Sequence, residues 1–180
     1  MPANRLDWPT VFREYRGFVY RVVGRLAGPA LDHEDIAQDV FVVIFRKLHT
    51  LRDPHRLQSW VYGICRRVVA HQRRRLRVRQ ALAELVGQQP TRPTESGPER
   101  VYEQRELERV LYRALDRMSE KRREVLILFA LEGLEGKQIA ELLEIPLNTV
   151  WTRLHAARRD LLGQLGENEL GLVRPLREAS

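Results

Sequence analysis

The stretch Leu134–Leu162 constrains this chain most. Ile139, Ala140, Leu142 and Leu143 form the apolar face of one predicted helix, and Val150, Leu154, Ala157 and Leu161 form that of a second. Pro146 stands between them and breaks the run, because proline lacks a backbone N–H and clashes with a preceding turn. Ala140 is small enough for the second helix to cross closely. Asn148 or Thr149 is expected to cap that second helix by accepting a first-turn N–H. Its other face presents Trp151, Thr152, Arg153, His155, Arg158 and Arg159, a row of hydrogen-bonding and cationic groups. A short helix, a tight turn and a second helix carrying such a row form a helix-turn-helix, whose second helix lies in a DNA major groove. An ordinary helical hairpin with a solvated basic face is the alternative on this stretch alone. Glu144 leans that way, since the turn position favours positive φ, and glycine is the residue that adopts it freely.

The remaining residues narrow the choice. The chain has 180 residues and a formal net charge of +7, with a sequence pI of about 10.1, so a polyanionic partner is expected. Arginine far outnumbers lysine, which suits bidentate phosphate and guanine contacts. Cys65 is the only cysteine, which excludes an intramolecular disulfide and argues against a cysteine-based zinc site. No apolar run approaches the ~20 residues a membrane span needs. Met1–Asp7 has no cationic segment followed by an apolar core, so no secretory signal is read there and a reducing cytoplasm is expected. Periodicity is helical almost throughout, so the predicted fold is all-α.

Helices are predicted over 8–27, from Asp32 through Leu48, over 60–85, over 101–116 and over 120–132, ahead of the helix pair. Gly28-Pro29 ends the first, and Asp32, Glu34 and Asp35 open the second where the helix dipole favours negative charge. Asp35, Gln38, Asp39 and Val42 share its polar face, and Phe41 and Val42 beside the carboxylates suggest a docking surface. Asp53-Pro54 opens a short turn, with Pro54 at its first position. In the third helix Arg66, Arg67, Arg73, Arg74, Arg75, Arg77 and Arg79 come with no acidic residue among them. Ion pairing within the helix cannot neutralise such a run, and nucleic-acid phosphates can. Trp60, Tyr62 and His71 add aromatic groups suited to unstacked bases. Gly87–Pro98 is rich in breakers and is expected to be an extended, mobile linker. The expected organisation is a domain over 1–86, a linker over 87–100, a second domain over 101–165 and a disordered tail over 166–180.

Three pieces in this order resemble bacterial RNA polymerase sigma factors of the sigma-70 family, in the extracytoplasmic-function (ECF) class that keeps only regions 2 and 4. Asp32-His33-Glu34-Asp35-Ile36-Ala37-Gln38-Asp39-Val40-Phe41 resembles the family's polymerase-docking motif. Ser59-Trp60-Val61-Tyr62-Gly63-Ile64-Cys65-Arg66-Arg67 onward resembles its promoter-melting helix, and Met118–Leu162 its region 4. The resemblance implies that Asp35, Gln38, Asp39 and Phe41 contact the clamp helices of the polymerase β′ subunit, with the β flap as a further polymerase contact. Arg52, His55, Arg56, Trp60, Arg66, Arg67, His71, Arg74 and Arg75 would then open and read the −10 element as single strand. Flipping a base there costs a few kcal/mol, which a pocket and stacking offset. Asn148, Thr149, Trp151, Thr152, Arg153, His155, Arg158 and Arg159 would face the −35 duplex. Trp151, Thr152, His155 and Arg158 are expected near base edges, and Arg153 and Arg159 nearer phosphate. A thymine methyl is a plausible target for the Trp151 ring.

The chain departs from the family at Arg67, where asparagine is usual, at His71, where an acidic or amide residue is usual, and at Glu144 in the turn. The expected function is a sigma factor that binds core polymerase and directs promoter-specific initiation. It would read both elements and help melt the −10 DNA, with no cofactor or catalytic chemistry of its own. There is no glycine-rich phosphate loop, and His33, His49, His55, His71 and His155 have no spacing for a metal site. An anti-sigma partner is common in the family. Two other readings fit the sequence less well. An autonomous helix-turn-helix regulator leaves Asp35–Asp39 and the arginine run without a purpose, and a DNA recombinase needs a catalytic domain that residues 1–85 are too few to supply.

Overall fold

The computed structural model describes residues 6–86 and 99–165, with the side chains of 99–107 outside the description. Among the described residues there are seven α-helices and no strand. They are α1 (Trp8–Ala27), α2 (His33–Lys47), α3 (Leu57–Leu85), α4 (Glu99–Asp116), α5 (Glu120–Ala130), α6 (Gly136–Leu143) and α7 (Leu147–Leu162). The chain divides into two compact units, Met1–Thr94 and Glu95–Ser180. The expected linker over 87–98 and the tail over 166–180 lie outside the described residues.

In the first unit α1, α2 and α3 pack against one another. Their shared core is Val19, Val22, Val23 and Leu26 of α1, Ile36, Val40 and Ile44 of α2, and Val61, Ile64, Cys65 and Val69 of α3. These positions follow the 3.6-residue period, so each helix buries one stripe. Gly28 terminates α1 at φ 72, where glycine adopts the left-handed region without a Cβ penalty. Asp32 caps α2 directly, its Oδ1 accepting from the N–H groups of Glu34 at 2.9 Å and Asp35 at 3.0 Å. The connection to α3 holds two 3-10 turns, Leu48–Thr50 and Pro54–Arg56. Asp53 caps the second by accepting from the His55 N–H at 3.0 Å.

The arginine run does not all face solvent. Arg73 is buried, and its Nη1 donates to the carbonyls of Ala27 at 3.0 Å and Leu26 at 3.3 Å. It lies one helical period beyond Val69 on the buried stripe, so helix geometry turns it inward. There it donates to carbonyls of the last turn of α1, where a cation also complements the helix dipole. Tyr62, expected among the base-stacking groups, is 1% exposed and belongs to the core.

In the second unit α5 packs on α6 and α7, and α6 packs on α7. Val125, Leu126, Ile127 and Leu128 of α5 are all buried, together with Ile139, Leu142, Val150, Leu154, Ala157 and Leu161. Arg122 and Asp160 pair at 2.8 Å and tie α5 to α7. Helix α4 begins at Glu99, two residues before its expected start, and α5 ends at Ala130 rather than Glu132. Ser119 is the N-cap residue of α5 but makes no side-chain cap bond. The expected cap of α7 is corrected as well. Pro146 holds the N-cap position with extended backbone, so Asn148 and Thr149 lie inside the first turn and neither caps it.

Candidate polymerase and nucleic-acid surfaces

Helix α2 offers the first surface. Asp35, Gln38, Asp39 and Val42 are exposed side by side on its outer face. Asp39 accepts a hydrogen bond from Gln72 Nε2 of α3 at 3.0 Å, which steadies its carboxylate. Phe41, expected in the contact, is only 8% exposed. Its ring sits among Phe12 at 4.8 Å, Tyr20 at 6.2 Å and Trp8 at 6.3 Å between centroids, so it supports the surface from beneath. Phe45, four residues on, is the exposed aromatic of this face, 59% exposed with Trp8 beside it at 5.4 Å. The signal for Phe45 was present in the sequence, since Gln38, Val42 and Phe45 fall at i, i+4 and i+7.

The second surface runs from the loop before α3 along that helix. Arg52, His55 and Arg56 are exposed on the loop, Trp60 is half-buried at the start of α3, and Arg66, Arg67, His71, Arg74 and Arg75 are exposed further along. Arg67, His71, Arg74 and Arg75 share one helical face. His71, Gln72, Arg74, Arg75, Val78 and Arg79 line an open depression of about 480 Å³. A concave wall of guanidinium groups around one apolar side chain can hold a phosphate while leaving room for a base or sugar.

The third surface is α7. Asn148, Trp151, Thr152, His155 and Arg159 are exposed along one face, flanked by the less exposed Thr149, Arg153 and Arg158. The preceding turn fixes how this helix projects. Glu144 adopts φ 54 and ψ 46, the left-handed conformation. The Ile145 N–H bonds to the Ala140 carbonyl at 3.0 Å and the Glu144 N–H to the Glu141 carbonyl at 3.3 Å, closing a Schellman turn. The turn therefore takes the helix-turn-helix geometry although a glutamate occupies the glycine-favouring position. On α7, Thr152 Oγ1 donates to the Asn148 carbonyl at 2.9 Å. Arg158 was expected at the base edges, but its guanidinium carbon lies over the Phe129 ring, 5.2 Å from the centroid. Phe129 also meets Trp151 edge-on at 6.1 Å.

Residues 11–79 match the family described as Sigma-70 region 2, and residues 108–161 match Sigma-70, region 4. The ferric citrate uptake sigma factor FecI of Escherichia coli is 31% identical over 147 residues, 81% of this chain and 83% of that protein. The ECF RNA polymerase sigma factor SigE of Mycolicibacterium smegmatis is 31% identical over 164 residues. That match spans 90% of this chain but 63% of the relative, so the chain covers less than two thirds of that protein's length. Among solved structures, the sigma factor RpoE of Bartonella quintana, in complex with the anti-sigma factor NepR, superposes with a TM-score of 0.57. It shares 19% identity, and the match covers 88% of this chain and 96% of that one, so it speaks for the fold. With both region matches in order and FecI aligned over most of its length, the chain belongs to the sigma-70 family of RNA polymerase sigma factors, in its ECF class.

Proposed function

We propose that this chain binds core RNA polymerase and directs it to promoters, reading a −35 element as duplex and a −10 element as melted single strand. One observation carries the reading. Region 2 and region 4 matches occur in order in one chain, and each bears exposed groups of the chemistry its role needs. Asp35, Gln38 and Asp39, with Val42 and Phe45 beside them, form the docking surface for the β′ clamp helices. Arg52, His55, Arg56, Trp60, Arg66, Arg67, His71, Arg74 and Arg75 hold the −10 strand. Asn148, Thr149, Trp151, Thr152, Arg153, His155, Arg158 and Arg159 face the −35 groove. The modular division is a first module over 1–86, a linker over 87–98, a second module over 99–165 and a tail over 166–180.

Cations track phosphate and aromatic groups take unstacked bases, while the reading helix presents donors and an apolar ring to base edges. The protein contributes positioning and binding, and the polymerase performs the chemistry, so the work is done in the cytoplasm. No helix among the described residues is long and apolar enough to cross a membrane. The solved RpoE–NepR pair supports a proteinaceous anti-sigma partner for this chain too. Reconstitution tests the proposal. Purified chain added to core polymerase should co-elute with it and start transcripts from a subset of promoter templates that core alone ignores. A chain that ignores core yet binds a specific duplex unaided would be an autonomous regulator and would refute the reading.

A further inference from the structure

Gly136 is the first residue of α6, and its backbone is not in the left-handed region, so a glycine is not required for φ. Helix termini of this kind accept alanine with no backbone strain, and alanine is the better helix former. The reason for glycine lies across the unit. A Cβ at residue 136 would stand 2.5 Å from Cζ2, 2.8 Å from Cη2 and 3.1 Å from Cε2 of Trp151. Gly136 is itself buried, so the indole of the reading helix rests directly on the bare backbone of the preceding helix.

That backbone is held in place. Glu135 and Gln138 form a reciprocal capping box, with the Glu135 N–H donating to Gln138 Oε1 at 2.8 Å. Phe129 meets the same indole edge-on, and Arg158 lies over Phe129. Trp151 nevertheless stays 46% exposed, seated at one edge and open to a ligand. A tryptophan projecting freely from a helix would sample several rotamers, and base readout needs one.

We propose that Gly136 is a positioning residue for promoter recognition: its missing side chain seats the Trp151 indole, and that seat sets which base pair the −35 helix prefers at the ring. This rests on reading α7 as the −35 helix. The specificity determinant is then a pair, a glycine on the helix that touches no base and a tryptophan on the helix that does. A Cβ at 136 cannot be accommodated by the capped backbone, so the exposed ring must swing away.

The test uses the full chain with core polymerase and a template pool randomised across both promoter elements, sequencing the transcribed members. Gly136→Ala, Trp151→Ala and the double variant are compared with the parent. Gly136→Ala should lose about fivefold discrimination at one −35 position, the same position lost in Trp151→Ala, and the double variant should lose no more than Trp151→Ala. Co-elution with core, −10 preference and helix content should stay unchanged, which a general folding defect would not allow. Gly136→Ser, which also carries a Cβ, should reproduce the effect. If Trp151→Ala relaxes that position while Gly136→Ala and Gly136→Ser keep the parental preference, the seat is irrelevant and the inference falls, though the reading of α7 stands. If Trp151→Ala leaves every −35 preference intact, the ring reads no base and the inference falls.

Discussion

Replacing Arg73 by methionine separates two roles that the arginine run blends. Methionine keeps the length of the stem and removes the guanidinium. Arg73 Nη1 serves the carbonyls of Ala27 and Leu26 at the end of α1, both on buried residues. Hydrogen bonds from a charged donor contribute about 1.5–3 kcal/mol, and a cation at a partly buried helix C-terminus contributes up to ~2 kcal/mol. One nitrogen serves both carbonyls, so these terms do not add fully, and a loss of about 3 kcal/mol is expected. For a unit of this size that lowers Tm by more than ~10 °C. Arg74→Met is the control, since Arg74 is exposed on the face lining the basic depression. It should leave stability within ~0.5 kcal/mol and weaken DNA binding. Urea unfolding in a Trp151→Phe background reads the first unit alone, because Trp8 and Trp60 are then the only tryptophans left of the three. If Arg73→Met unfolds with the parent and instead loses DNA affinity as Arg74→Met does, Arg73 belongs to the phosphate-facing set and the capping argument is wrong.

Asp39→Arg reverses charge on the outer face of α2 at the cost of one exposed bond to Gln72, so co-elution with core polymerase should vanish while circular dichroism stays parental; normal co-elution would remove Asp39 from the docking surface. Glu144→Gly relieves a left-handed residue in the turn before α7, a conformation that costs a side-chain-bearing residue roughly 1–2 kcal/mol. After glycine's larger unfolded-state entropy is subtracted, the second unit should gain about 0.5–1 kcal/mol, read as a rise in Tm; a loss would show that the glutamate side chain does more for the turn than its backbone strain costs. Burial pushes the Cys65 thiol from 9.0 up to about 12. The native thiol therefore stays protonated where the unfolded one ionises, so its contribution is whole below pH ~9 and is lost as pH climbs towards 12. Iodoacetamide at pH 8 should label Cys65 slowly in buffer and rapidly in urea, and fast labelling of the native chain would contradict its burial.

The sequence carried the helices because their information is local. An apolar residue every three or four positions, Gly28 after α1, Asp32 before α2 and Pro146 before α7 each act within a turn of where they stand. Errors fell where two local rules competed. Asn148 and Thr149 are good caps by type, yet Pro146 already supplies extended backbone at the boundary and moves the helix start upstream of both. Glu144 is poor by type for a left-handed turn, yet Ile139, Leu142, Val150 and Leu154 bury their side chains only if the chain turns there, and packing overrides the preference.

The surfaces were legible by residue type but not by which member of a type points outward. Seven arginines in α3 are equivalent in composition, and only the stripe through Leu57, Val61, Cys65 and Val69 shows that Arg73 continues it inward. Phe41 and Phe45 are likewise the same residue four positions apart, and helix geometry alone puts them on nearly one face. Phe12 and Tyr20 of α1 decide between them, packing on Phe41, while Phe45 meets the Trp8 ring and stays mostly open. A contact made across helices leaves no periodic trace, and the Gly136–Trp151 contact is of that kind: fifteen positions apart in sequence, within reach of one missing methyl in space. A glycine in an ordinary helical conformation where alanine would serve better is the one mark such a contact leaves in the sequence. It becomes informative only when the atom that occupies the vacated volume is known.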